Sequence, residues 1–124
     1  MAKYVDGYVL VIPVKNIAAY KKMATLGGKV WKKYGALDYK ECVAEDIRPK
    51  GMGLVPQFPK MTGLKRGETV VFSYIVFKSR KHRDQVNAKV MKDPLMGPEN
   101  WKDKPMPFDP KRMAYGGFTV LVDA

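Results

Sequence analysis

The chain has 124 residues, 46% of them hydrophobic, enough for one core and too few for two ordinary domains, so residues 1–124 read as one domain. A single cysteine, Cys42, excludes an intramolecular disulfide, and the apolar runs at Tyr8 to Ile12 and Val70 to Phe77 fall far below the ~18 residues of a membrane-spanning helix. With 23 Lys+Arg against 12 Asp+Glu the net charge is +11, but the basic residues are scattered as pairs such as Lys21-Lys22 and Lys111-Arg112, which suits a solvated surface better than a polyanion groove.

Residues Tyr4 to Val14 have the β-branched and aromatic content of a strand, with Pro13 near its end. Asn16 offers a helix N-cap, and Ile17, Tyr20, Ala24, Gly27, Trp31 and Tyr34 recur at spacings of three and four, which predicts a helix ending at Gly35. Lys21, Lys22, Lys29, Lys32 and Lys33 fall on its wet side. Gly27-Gly28 inside a helix points to a kink or to another backbone approaching closely. A second strand is expected from Leu37 to about Ala44. The segment Arg48 to Gly67, rich in Pro and Gly, is too long for a routine connection; it reads either as a surface loop or as an arm or lid over a sheet face, for which Leu54, Val55, Phe58, Met61 and Leu64 supply apolar material. A third strand runs from Thr69 to Phe77, and Ser79 caps a second helix through about Lys92, with Arg83, Val86, Asn87 and Val90 on one stripe and Pro94 stopping it. After a proline-rich stretch a last strand runs from Met113 to Val122, where Gly116-Gly117 suggests a bulge or close backbone approach.

The order β-α-β-β-α-β folds most simply as an α+β ferredoxin-like antiparallel sheet with both helices on one face. The other face should then be polar, yet both alternating sets of strands one and three are apolar. Two helices cover one face, so a second copy of the chain is the expected cover for the other.

Alternation places Asp6, Tyr8, Tyr39, Glu41, Phe72, Tyr74 and Tyr115 as candidates for one face, lining an apolar hollow between sheet and partner. There Asp6 or Glu41 is a candidate acid or base, and Tyr8, Tyr39, Phe72, Tyr74 and Tyr115 are candidate ligand-binding residues. The competing structural reading has Glu41 paired with a lysine and Asp6 in a bulge beside Gly7. His82 has no second histidine to join it in a zinc site, and Cys42 reads as a small buried residue. No phosphate loop, dinucleotide fingerprint or serine elbow is present, so no cofactor and no metal are expected. The N-terminal Met1-Ala2-Lys3-Tyr4 lacks a leader pattern, and with one lone thiol a cytoplasmic protein is expected.

The same element order belongs to the RNA recognition motif, and Phe72-Ser73-Tyr74-Ile75-Val76-Phe77 approaches part of its third-strand signature, although the signature's basic residue and glycine are replaced by Val70 and Val71. RNA is therefore an alternative partner, and a structural dimer without chemistry is another.

Several blocks in order, among them Tyr4-Val5-Asp6-Gly7, Gly35 to Asp46, Glu68 to Tyr74, Arg83 to Met91, Met106 to Asp109 and Lys111 to Phe118, resemble the YbaA-like bacterial family, a domain of unknown function (domain of unknown function 1428). The resemblance implies membership of the dimeric α/β-barrel superfamily, in which two ferredoxin-like sheets pair face to face and whose members include cofactor-free monooxygenases, isomerases, haem enzymes and ligand-binding regulators. None of their catalytic residues maps onto this sequence. Tyr74 stands where the family usually has tryptophan.

Overall fold

The computed structural model describes residues 2–51, 53 and 57–124. Leu54, Val55 and Pro56, counted above in the long segment, lie outside the described residues. Strands β1 (Tyr4–Pro13), β2 (Asp38–Val43), β3 (Glu68–Phe77) and β4 (Met113–Thr119) alternate with helices α1 (Ile17–Lys33), α2 (Phe58–Thr62) and α3 (Arg80–Lys92). The sheet order is β2-β3-β1-β4, and every neighbouring pair is antiparallel. This is the expected ferredoxin-like arrangement. The sheet is open, with β2 and β4 as its edges, so one chain does not close a barrel. Among the described residues no helix is long and apolar enough to cross a membrane.

The inner face of the sheet and the two long helices form two adjoining clusters. Val30, Ala36, Ile75, Phe77, Val86 and Val90 make one, and Leu10, Ile12, Tyr20, Ala24 and Val71 make the other. Helix α1 buries Tyr20, Ala24, Gly27 and Val30, a stripe at helical spacing, while its five lysines stay exposed. It ends where Gly35 takes φ +110°, a left-handed conformation that glycine adopts without a Cβ clash. Asn16 stands at the N-cap position but makes no capping bond; its Nδ2 instead donates to Pro107 O at 2.9 Å, tying the helix start to the proline-rich stretch. Ser79 does cap α3, its Oγ accepting from His82 N at 3.1 Å.

Three local readings change. The approach at Gly27-Gly28 is by a side chain: a Cβ on Gly28 would lie 3.1 Å from the Tyr39 ring. Strand β4 stops at Thr119 and pairs regularly with β1 through Gly116 and Gly117, so there is no bulge; a Cβ on Gly117 would collide with the Tyr4 hydroxyl, and the Phe118 ring lies over Gly7 and Gly116. Cys42 is exposed, because its position in the alternation of β2 faces away from the helices.

The arm forms the short helix α2, and Ile47 and Phe58 line a small hollow with Val70, Phe72 and Cys42 on the outer face. Its C-terminal end is held by Arg112, which donates to both carboxylate oxygens of Glu68 and to the carbonyls of Thr62 and Gly63. Val11 and Val70 at that end of the sheet are buried, whereas Phe72 and Phe118 are 47% and 60% exposed. The outer face is therefore covered at one end and bare over the rest.

Asp6 is fully buried, facing α3 from the central strand. Arg83 Nη1 donates to its Oδ1 at 2.7 Å, Asn87 Nδ2 approaches its Oδ2 at 3.5 Å, and Trp31 Nε1 donates to Asn87 Oδ1 at 3.0 Å. The stripe that carried Arg83 and Asn87 beside Val86 and Val90 is thus polar where it meets Asp6. Asp6→Ala should cost about 3–5 kcal/mol in a urea melt, since it leaves the Arg83 charge confined, while Asp6→Leu combined with Arg83→Met should recover most of that loss. Equal losses in the single and double variants would show that the pair is not what holds α3 to the sheet.

Candidate functional site

Cross-strand register decides which side chains meet. Glu41, Ser73, Tyr8 and Tyr115 form one row across the sheet, each the partner of the next, and all face the helices. Helix α1 passes over this row with small residues, Ala24 and Gly27, and Ser73 below is small as well. Small groups on both sides leave a hollow of about 290 Å³ between α1 and the sheet. Tyr8, Tyr20, Trp31, Tyr39, Trp101 and Phe108 supply its aromatic walls, Met96 and Met113 add apolar surface, and among the described residues Glu41 is the one charged side chain lining it.

Glu41 bridges two elements. Its Oε1 accepts from Tyr20 OH of α1 at 2.6 Å and its Oε2 from Tyr39 OH on its own strand at 2.7 Å. The same carboxylate, with Tyr20, Ala24 and Tyr39, also lines a second hollow of about 560 Å³ toward Ile17, Lys21 and Val43, so this group forms the partition between the two spaces. Tyr20 stacks edge-on against Phe108 at 5.8 Å, and Trp31 lies 6.1 Å from Tyr39, which fixes the phenols that grip the carboxylate.

Burial raises the phenols of Tyr20 and Tyr39 far above the ordinary tyrosine range, and the hydrogen bond each donates to Glu41 raises them further. Tyr8 is raised chiefly by burial, with Asp6, Tyr115 and Glu41 adding to the effect and Arg83 opposing it. These groups are donors that stay protonated, and they contribute no charge to the hollow.

The family model of DUF1428, described as a protein of unknown function, matches residues 3–110. The chain belongs to that family. It is 40% identical over 121 residues to the uncharacterised protein YbaA of Escherichia coli strain K12, covering 98% of both chains, and matches the protein of the same description from Shigella flexneri to the same extent. Among solved structures, it superposes over the whole of both chains on a dimeric ferredoxin-like protein from an uncultured marine organism, with a TM-score of 0.60 and 13% identity. That likeness shows the fold.

Within this DUF1428 chain, Tyr8, Tyr39 and Glu41 come together as lining residues, and Tyr115 lies beside them with its ring 4.9 Å from that of Tyr8. Phe72 and Tyr74 do not join them. Tyr8 pairs with Ser73, so its neighbours in β3 point outward: Phe72 shares a row with Cys42, Val9 and Ala114, and Tyr74 with Lys40, Gly7 and Gly116. The hollow is consequently inside one chain, between sheet and helix, and not between two sheets. Asp6 faces inward too but does not line the hollow, being committed to Arg83. Among the described residues Glu41 pairs with no lysine; the phenols of Tyr20 and Tyr39 stand where a lysine was expected. His82 accepts from Lys78 N–H through Nδ1 at 3.0 Å and packs edge-on against Phe77, a local structural role remote from the hollow.

Tyr20, Trp31 and Phe108 were not among the sequence candidates. The first two sat in the apolar stripe of α1, where aromatics flanking Ala24 and Gly27 are themselves the sign of an unfilled space. Phe108 comes from the irregular proline-rich stretch, whose placement no periodicity announces.

Because the phenols of Tyr8, Tyr20 and Tyr39 are raised above the ordinary value of 10.0, the folded chain holds protons that the unfolded chain releases as pH climbs past that value. Their contribution to stability is complete below pH 10.0 and declines above it. Urea midpoints should therefore fall between about pH 9 and about pH 11, and the tyrosinate absorbance of the native protein should stay below that of the denatured chain over the same interval. Identical folded and unfolded tyrosine titrations would remove the enclosed-phenol geometry.

Proposed function

We propose that this protein binds a small, mostly apolar or aromatic molecule in the hollow between α1 and the sheet, as ligand or as substrate, and that it works as a homodimer joined through the bare sheet face. The observation that carries the first part is a space of about 290 Å³ with aromatic walls and one carboxylate, close to the lower end of ordinary ligand sites and suited to a one-ring molecule. A carboxylate accepts about four hydrogen bonds, and the two phenols use two, so Glu41 has capacity left for a donor on the bound molecule. If that molecule carries an acidic proton within hydrogen-bond reach, Glu41 is the group placed to accept it.

Exposed Phe72 and Phe118, with Val5, Val9 and Tyr74 between them, support the dimer, as does the dimeric assembly named for the ferredoxin-like neighbour. An exposed, unpaired Cys42 suits the reducing cytoplasm.

Gly27→Leu tests the hollow, since leucine favours a helix over glycine and its side chain enters the space, the Tyr39 hydroxyl 3.3 Å from the new Cβ giving way. One-ring aromatic compounds should raise the melting temperature of the parent protein saturably, and Gly27→Leu should lose the response while Phe72→Ala keeps it. A response unchanged by Gly27→Leu would place binding elsewhere. For the assembly, sedimentation at low micromolar concentration should give twice the chain mass, and Phe72→Glu should give the chain mass.

The RNA reading draws on the net charge of +11 and on Phe72 and Tyr74, adjacent on the outer face with ring centroids 6.0 Å apart. It competes with the dimer for the same surface. A lone subunit in sedimentation, with RNA affinity that falls steeply with salt and needs both aromatics, would favour RNA over the dimer.

A further inference from the structure

We infer that the molecule taken by the hollow is an organic cation, an ammonium group on a one-ring or similarly sized apolar body, with Glu41 as its counter-ion. This deepens the proposed function and rests on the hollow being a binding site.

Three other carboxylates turned into the fold each have a basic partner: Asp6 has Arg83 at 2.7 Å, Asp93 has Lys33 at 3.2 Å, and Glu68 has Arg112 at 2.8 Å. Glu41 differs. Among the described residues no lysine, arginine or histidine nitrogen forms an ion pair with it, and its partners are two neutral phenols. A carboxylate set in an apolar space without a cation is costly, and a ligand that brings one relieves the cost.

The walls point the same way. Tyr8, Tyr20, Trp31, Tyr39 and Phe108 present aromatic surface, whose negative faces attract ammonium groups, most strongly where water is displaced. Burial and Glu41 keep the Tyr20 and Tyr39 phenols protonated, so the cage keeps its two donors on the carboxylate.

The chain's net charge of +11 argues for an anion at first sight. The local charges argue otherwise. The lysines of α1 are exposed and their fields decay over about 8 Å in physiological salt. Arg83 is bound to Asp6 and Asp84, Lys104 sits over the Trp101 ring, and Lys21 lines the adjoining space with its side chain exposed. Among the described residues the charged side chain lining the hollow is the acidic Glu41, within a protein of net charge +11.

Benzylamine, benzyl alcohol and benzoate share one ring and differ in charge, so their affinities by calorimetry separate the possibilities. Benzylamine should bind about tenfold or more tightly than benzyl alcohol, benzoate should bind weakest, and Glu41→Gln should erase the amine's advantage over the alcohol. Benzyl alcohol binding as well as benzylamine would overturn the cation and leave the apolar hollow standing. Benzoate binding best would overturn it in favour of the overall charge. No binding by any of the three at millimolar concentration would remove the hollow as a site, and the cation with it. The three-ligand comparison on the parent protein decides the matter even if Glu41→Gln does not fold.

Discussion

Strand β1 is the constraint from which the remaining placements follow. It lies inside the sheet, paired antiparallel along its whole length to β3 on one side and from Tyr4 to Leu10 to β4 on the other. A period of two along this strand sends Tyr4, Asp6, Tyr8, Leu10 and Ile12 toward the helices, and the ladders pass that choice to every residue opposite. Asp6 meets Arg83 and Asn87 because it is inward, and Tyr8 meets Ser73 and Tyr115 for the same reason. One residue of slip would expose Asp6 and turn the hollow inside out.

The fold was largely legible in the residues, and the faces of the sheet were not. Strand content, the stripe of α1 and the Ser79 cap each carry a strong local signal, and their order limits the topology to few choices. Register carries none when both alternating sets are apolar. The double set of apolar residues in β3, which announces that its outer face needs a cover, also conceals that Ser73 and Ile75 point inward while Phe72 and Tyr74 point outward. One feature thus produced both the expectation of a cover and a grouping of candidate residues that the register divides between two faces. Cys42 follows the same logic: it is small and apolar enough for a core, but its row contains Phe72.

The two faces of the sheet have been put to different purposes. The inner face meets the helices through an ion pair, a hydrogen-bonded amide of α3 and a carboxylate held by two phenols, one from α1 and one from its own strand. The outer face has flat apolar material, with Phe118 lying across Gly7 and Gly116 and the arm docked at one end. Polar groups specify which helix residues must sit where, and apolar ones leave the outer surface open to a partner. The aromatic count of this chain serves both.

Gly117 limits how such a chain can vary. Tyr4 occupies the space a side chain would need there, and the same ring receives the Arg83 guanidinium 4.9 Å from its centre. An alanine in this edge strand would swing the ring aside and uncover the guanidinium that neutralises Asp6. A change at one hydrogen of β4 is therefore felt across the sheet at the first turn of α3, through the ring of Tyr4.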